Sequence, residues 1–179
     1  MTFPVFASGD VLTAADMNAV GLWLVKTQTI GSAVSSVTVT GAFSSDYDNY
    51  KITFAPGAGA AGPALLNITF GSTATGYYWG FAGTTYSTGA ASNSAGNNTT
   101  SIPIGVHNTD GYAVSCDVLA PNLAKNTVVL APYCNVATAQ NAGIVSGYLA
   151  NTTTYTAFTV TCASGTLTGG TIRVYGYRN

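Results

Sequence analysis

Glutamate occurs nowhere in the chain, and its six acidic residues are all aspartates. With five Lys or Arg, charged residues make up 6% of the 179, against roughly 25% in an ordinary soluble domain. A net charge of −1 provides no basic field for a phosphate backbone, so nucleic-acid binding is not expected. Helical bundles cover their outer faces with Glu and Lys, the residues in short supply here, so that class is excluded as well. Disorder is excluded by a hydrophobic content of 47%. No apolar run reaches the roughly 18 residues of a spanning helix, so no membrane insertion is expected. Met1-Thr2-Phe3-Pro4 has neither a basic nor an apolar segment of the signal-peptide kind, so no signal peptide is expected.

Cysteine is scarce too. Cys116, Cys134 and Cys162 lack metal-type spacing, and each falls in step with apolar neighbours, which predicts three inward-facing reduced thiols, with a disulfide between two of them as the alternative. One His and three core-facing Cys cannot chelate zinc, so neither a metal nor a cofactor is expected.

What the chain does have is Thr, Ser, Asn, Gly and Tyr. The first segment stands apart from the rest. Thr13-Ala14-Ala15-Asp16 is a capping box, with Thr13 and Asp16 bonding each other's amides, and Leu12 and Met17 occupy staple positions. A short helix is expected there, after an extended arm that carries Phe3 and Phe6. Such an arm has no core of its own, so residues 1–25 are read as a docking segment that uses Phe3, Phe6, Leu12 and Met17. Residues 26–179 are read as one head domain.

From Leu22 onward apolar residues alternate with Thr, Ser or Tyr, as half-buried antiparallel strands do. Eleven strands are expected on that pattern. Gly, Asn, Ser and Pro clusters separate them, and Thr88–Asn98 is read as one of these loops. The fold class is all-β: an antiparallel two-sheet β-sandwich, jelly-roll-like, preceded by the arm and short helix.

Catalytic groups are few. His107 is the single imidazole, no G-x-S-x-G elbow is present, and Gly105–Gly111 reads as a strand end entering a turn with His107 in solvent. Asp46 and Asp48 are the one clustered carboxylate pair; they read as a polar turn, with an ion site as the alternative. No catalytic residue is assigned and no enzyme is expected. Gly76-Tyr77-Tyr78-Trp79-Gly80-Phe81 is aromatic-rich, and alternation sends Tyr77, Trp79 and Phe81 to one face and Tyr78 to the other. Exposed Tyr78 and Tyr86, with Asn97 and Asn98, could stack on and hydrogen-bond a glycan.

Phe6-Ala7-Ser8-Gly9-Asp10-Val11-Leu12-Thr13-Ala14-Ala15-Asp16-Met17-Asn18 resembles the N-terminal segment of many bacteriophage tail-fibre and minor tail proteins. Ser36–Ile52 and Gly170–Tyr177 are similar to segments of small phage virion proteins, whereas Ala55–Gly169 matches only in composition. The resemblance implies a β-sandwich knob, homotrimeric, joined to other virion proteins through its N-terminal arm. The function it implies is that of a non-enzymatic tail-fibre or tail-tip component of the virion that contacts a host-surface glycan or protein. The alternative is a capsid decoration or head-fibre protein mounted on the phage head. A depolymerase would need a long parallel β-helix and a carboxylate cleft, and the chain suggests neither.

Overall fold

Alternation dictates the local structure. In Asn49-Tyr50-Lys51-Ile52-Thr53-Phe54-Ala55 the three large apolar side chains are buried and the residues between them lie on the other face. A strand of period two is the one regular structure that separates these sets. A computed structural model describes Gly9 and residues 21–55, 57–60, 62–135 and 141–177. The expected arm and helix, with Phe3, Phe6, Leu12, Thr13, Asp16 and Met17, lie outside the described residues.

Among the described residues there is no helix, and hence none long and apolar enough to cross a membrane. The strands are β1 (Leu22–Thr29), β2 (Ser36–Val39), β3 (Asn49–Ala55), β4 (Ala58–Gly59), β5 (Ala64–Phe70), β6 (Tyr77–Thr85) and β7 (Ala91–Thr99). They continue as β8 (Ile102–His107), β9 (Val114–Leu119), β10 (Thr127–Cys134), β11 (Asn141–Leu149), β12 (Phe158–Cys162), β13 (Leu167–Thr168) and β14 (Thr171–Tyr177). One sheet has eight strands in the order β1-β14-β3-β9-β10-β11-β6-β7; a second has four, β2-β12-β5-β8; β4 and β13 form a small pair. Every pairing is antiparallel.

The two larger sheets share one core. Strand β8 of the smaller sheet packs against β9, β10, β11 and β6 of the larger. Ile52, Val118, Val129 and Val174 from the larger sheet join Leu66, Ile68, Ile104 and Val160 from the smaller in a single buried cluster. Each such side chain contributes about 1.5–3 kcal/mol when fully buried. At one end Phe43 meets Tyr50 edge-on, with centroids 4.8 Å apart, and lies 5.6 Å from Phe158.

Three expectations are corrected here. Thr88–Asn98 is not a loop: most of it belongs to β7, hairpin partner of β6. This edge strand is exposed or half-buried along its whole length, so it never acquired the apolar alternation that marks a strand. Cys134 is exposed rather than inward, because Thr127, Val129 and Ala131 take the buried positions of β10 and set the opposite parity. His107 is fully buried rather than solvated: the turn begins at Asn108, and the imidazole fills the space beside Gly59.

Candidate functional site

The outer face of the larger sheet carries a transverse row of side chains set by register. Val128 on β10 stands opposite Tyr148 on β11, and Tyr148 stands opposite Tyr78 on β6. On β7 the register slips between Tyr77↔Thr99 and Trp79↔Gly96, so both Asn97 and Asn98 face Tyr78. That slip is a β-bulge, which re-aims side chains at a sheet edge. Asn98 sits there at φ 55°, a left-handed conformation that Asn tolerates, and its Oδ1 accepts the Gly76 amide at 2.9 Å.

Tyr78 and Tyr148 stack with ring centroids 5.2 Å apart and planes within 14°. Such cross-strand aromatic pairs contribute roughly 0.2–1 kcal/mol and hold each other's rotamers. The stack borders an open groove of about 540 Å³. Val128 adds apolar surface, Asn126 and Ser146 add polar groups, and Gly80 and Gly96 keep space open. Gly96 is required: a β-carbon there would run into the indole of Trp79. Trp79 is itself fixed by its Nε1–H, which donates to Thr99 Oγ1 at 3.2 Å.

The loops beside this row are tied together through Tyr155. Its hydroxyl lies 2.7 Å from Thr73 Oγ1 and accepts Asn151 Nδ2–H at 2.8 Å, and its carbonyl accepts Asn122 Nδ2–H at 2.9 Å. The groove's lining holds no carboxylate, imidazole, thiol or ammonium group. That chemistry suits a neutral ligand with flat apolar faces and hydroxyls to satisfy.

Of the four sequence-chosen residues, Tyr78 lines the groove, while Asn97 and Asn98 lie across from it in the bulge and are not part of the lining. Tyr86 lies beyond the far end of β6, where its hydroxyl is 3.1 Å from Cys134 Sγ. Tyr148 and Asn126 were not singled out by sequence; alternation marks Tyr148 as outward, but only register makes it Tyr78's partner. Asp46 forms a local turn, with its carboxylate accepting Ser44 Oγ–H at 3.0 Å and its amide donating to Ser44 Oγ at 3.3 Å. Among the described residues no group of three or more His, Cys, Asp or Glu could hold a metal ion.

A second cluster sits nearer the sheet's other edge. Lys51 Nζ is 3.2 Å from Asp117 Oδ2, and the Tyr177 hydroxyl donates to Asp117 Oδ1 at 2.5 Å. Partial burial, together with that hydrogen bond and the carboxylate's charge, pushes the Tyr177 phenol up to about 12.

No family model matches the chain, and no curated protein matches it. Among solved structures it is similar to the tripod (BppUct-A-L) from the baseplate of bacteriophage Tuc2009, with 13% identity and a TM-score of 0.29. That match covers 100% of this chain and 75% of the other.

Proposed function

We propose that the chain is a non-enzymatic structural protein of a bacteriophage virion, a homotrimeric tail-fibre or tail-tip component that contacts the host surface. Strand order supports its architecture. The orders β1-β14-β3-β9 and β2-β12-β5-β8 are those of an eight-stranded jelly roll made of two Greek keys, to which hairpin β6–β7 and the pair β10–β11 are added on one side. The resemblance of Phe6–Asn18, Ser36–Ile52 and Gly170–Tyr177 to phage virion segments supports the location.

The observation that carries the attachment role is the groove beside Tyr78 and Tyr148, borne by the added strands and the loop residue Asn126, and lined without charge. In this reading it takes a neutral sugar ring, whose C–H face lies on a tyrosine while Asn126 and Ser146 bond its hydroxyls. The test is cryo-EM localisation on intact particles, combined with adsorption of Tyr78→Ala and Tyr148→Ala particles to host cells. Density at the tail and adsorption reduced at least tenfold are expected. Density on the head shell, or unchanged adsorption by both variants, would overturn the tail location or the groove, respectively.

A further inference from the structure

An antiparallel sheet with one face on a core normally turns polar side chains to the other face. The four-stranded sheet largely obeys this: two of its outer rungs are Thr38–Thr159–Thr69 and Ser36–Thr161–Asn67, with Thr38 and Thr159 hydroxyls 2.9 Å apart, and its apolar outer residue is Leu65, 38% exposed beside Val106. The eight-stranded sheet does not. Register sets Leu22 beside Tyr177 on one outward rung and Leu24 beside Tyr175, Lys51 and Asp117 on the next. Leu22 is 47% exposed and Leu24 56%. The smaller sheet's outer face is thus mostly polar, whereas the larger sheet's carries the more exposed aliphatic groups, Leu22 and Leu24, beside aromatic ones.

We infer that the outer face of β1, β14, β3 and β9 is the surface on which copies of this chain pack against one another in a closed assembly. The inference rests on the oligomeric reading given above and specifies its contact. A second copy is the fitting occupant because in a closed ring each copy sets this face against its neighbour around the axis, where unbalanced like charges would repel. Here the charges cancel within the patch: Lys51 and Asp117 are paired at 3.2 Å, and Tyr177 occupies the remaining carboxylate oxygen. Two such faces can approach without repulsion, and the gain comes from covering apolar area. The rung that carries Arg173, with Thr53 and Ser115, borders the patch with polar groups, as a rim does. The contact runs through the face rather than the edge of β1. The register shift between Leu24 and Lys26 interrupts the edge ladder, a device that discourages strand addition. The groove adjoins this patch on the same outer face: Val128 of the groove stands opposite Leu119 of β9, and Tyr78 and Tyr148 lie on the strands beyond it.

The test is native mass spectrometry of the full chain, supported by light scattering. Wild type is expected as three copies, and Leu24→Asp as single copies, a threefold drop in mass with an unchanged circular dichroism spectrum. Leu24→Gln serves in its place if the aspartate variant does not fold, and should weaken the assembly in the same direction. Ile144→Asp, at a residue 50% exposed on β11, should leave the mass unchanged. A dimer that Leu24→Asp splits would support the face while overturning the trimeric count. The face itself is overturned by a monomeric wild type, by folded Leu24 variants that keep the wild-type mass, or by dissociation through Ile144→Asp alone. None of these results bears on where the protein sits on the particle.

Discussion

Gly59 presses its α-carbon against the imidazole of His107, leaving no room for a side chain between them. The ring cannot retreat, since it is fully buried and its Nε2–H donates to the Ser164 carbonyl at 3.1 Å. A single methyl group must therefore displace β4 or the ring. Gly59→Ala is expected to destabilise the protein by about 1–3 kcal/mol, read as a lower midpoint in urea with unchanged slope. Gly80→Ala, where a β-carbon meets nothing within 4 Å, should leave the midpoint in place.

Tyr77 spends its hydroxyl twice. It accepts the amide of Phe70 at 2.9 Å and donates to the carbonyl of Thr73 at 3.1 Å. Tyr77→Phe keeps the ring but strands a buried N–H, so a loss of about 1–3 kcal/mol is expected. Tyr78→Phe, on the opposite side of the same strand, should cost less than about 0.5 kcal/mol. Equal losses in chemical denaturation would contradict this account.

Alkaline pH should unfold the protein through its phenols. Burial pushes Tyr77 and Tyr112 up to about 12, and Tyr177 reaches the same value through burial and its bond to Asp117. The ordinary phenol lies near 10, so the fold favours the neutral form of these groups. Their contribution is complete below pH 10 and is lost as pH rises through 12. Phenolate absorbance should show a step on the alkaline side that coincides with loss of the β spectrum.

Thiol chemistry should separate the three cysteines. Cys134 is exposed, whereas Cys116 and Cys162 are buried; burial raises both thiols, that of Cys116 to about 12. A thiolate reagent at neutral pH should modify one cysteine in the folded protein and three in urea. Three in the folded state would contradict the burial of Cys116 and Cys162.

The strands that border the core were legible because burial imposed a pattern. In Ala64–Phe70 and Thr171–Tyr177 the buried residues are the alternate ones, and Tyr77, Trp79 and Phe81 share a face as alternation predicts, with Trp79 partly buried. Where no core lies behind a strand, as with Ala91–Thr99, nothing in composition distinguishes it from a loop. Val128-Val129-Leu130-Ala131 is apolar on both faces, so parity could not be read there and Cys134 was assigned to the wrong side. His107 was misplaced because its fit depends on Gly59, which is distant in sequence. The groove was legible in part for the same reason: outward positions follow from alternation, but Tyr148 joins Tyr78 only through a register that no local signal encodes.

The pairing of β1 with β14 joins Leu22 to Tyr177 and Thr29 to Thr171, so the chain's earliest described strand waits for its last. During synthesis β1 emerges first and cannot complete its sheet until residues 171–177 have left the ribosome. Its two exposed leucines and its unpaired backbone stay uncovered throughout that interval. Folding dominated by such long-range closure is slow, and the half-made chain is prone to aggregate. Production of this protein should therefore be governed less by its final stability than by how fast, and in what company, it is translated.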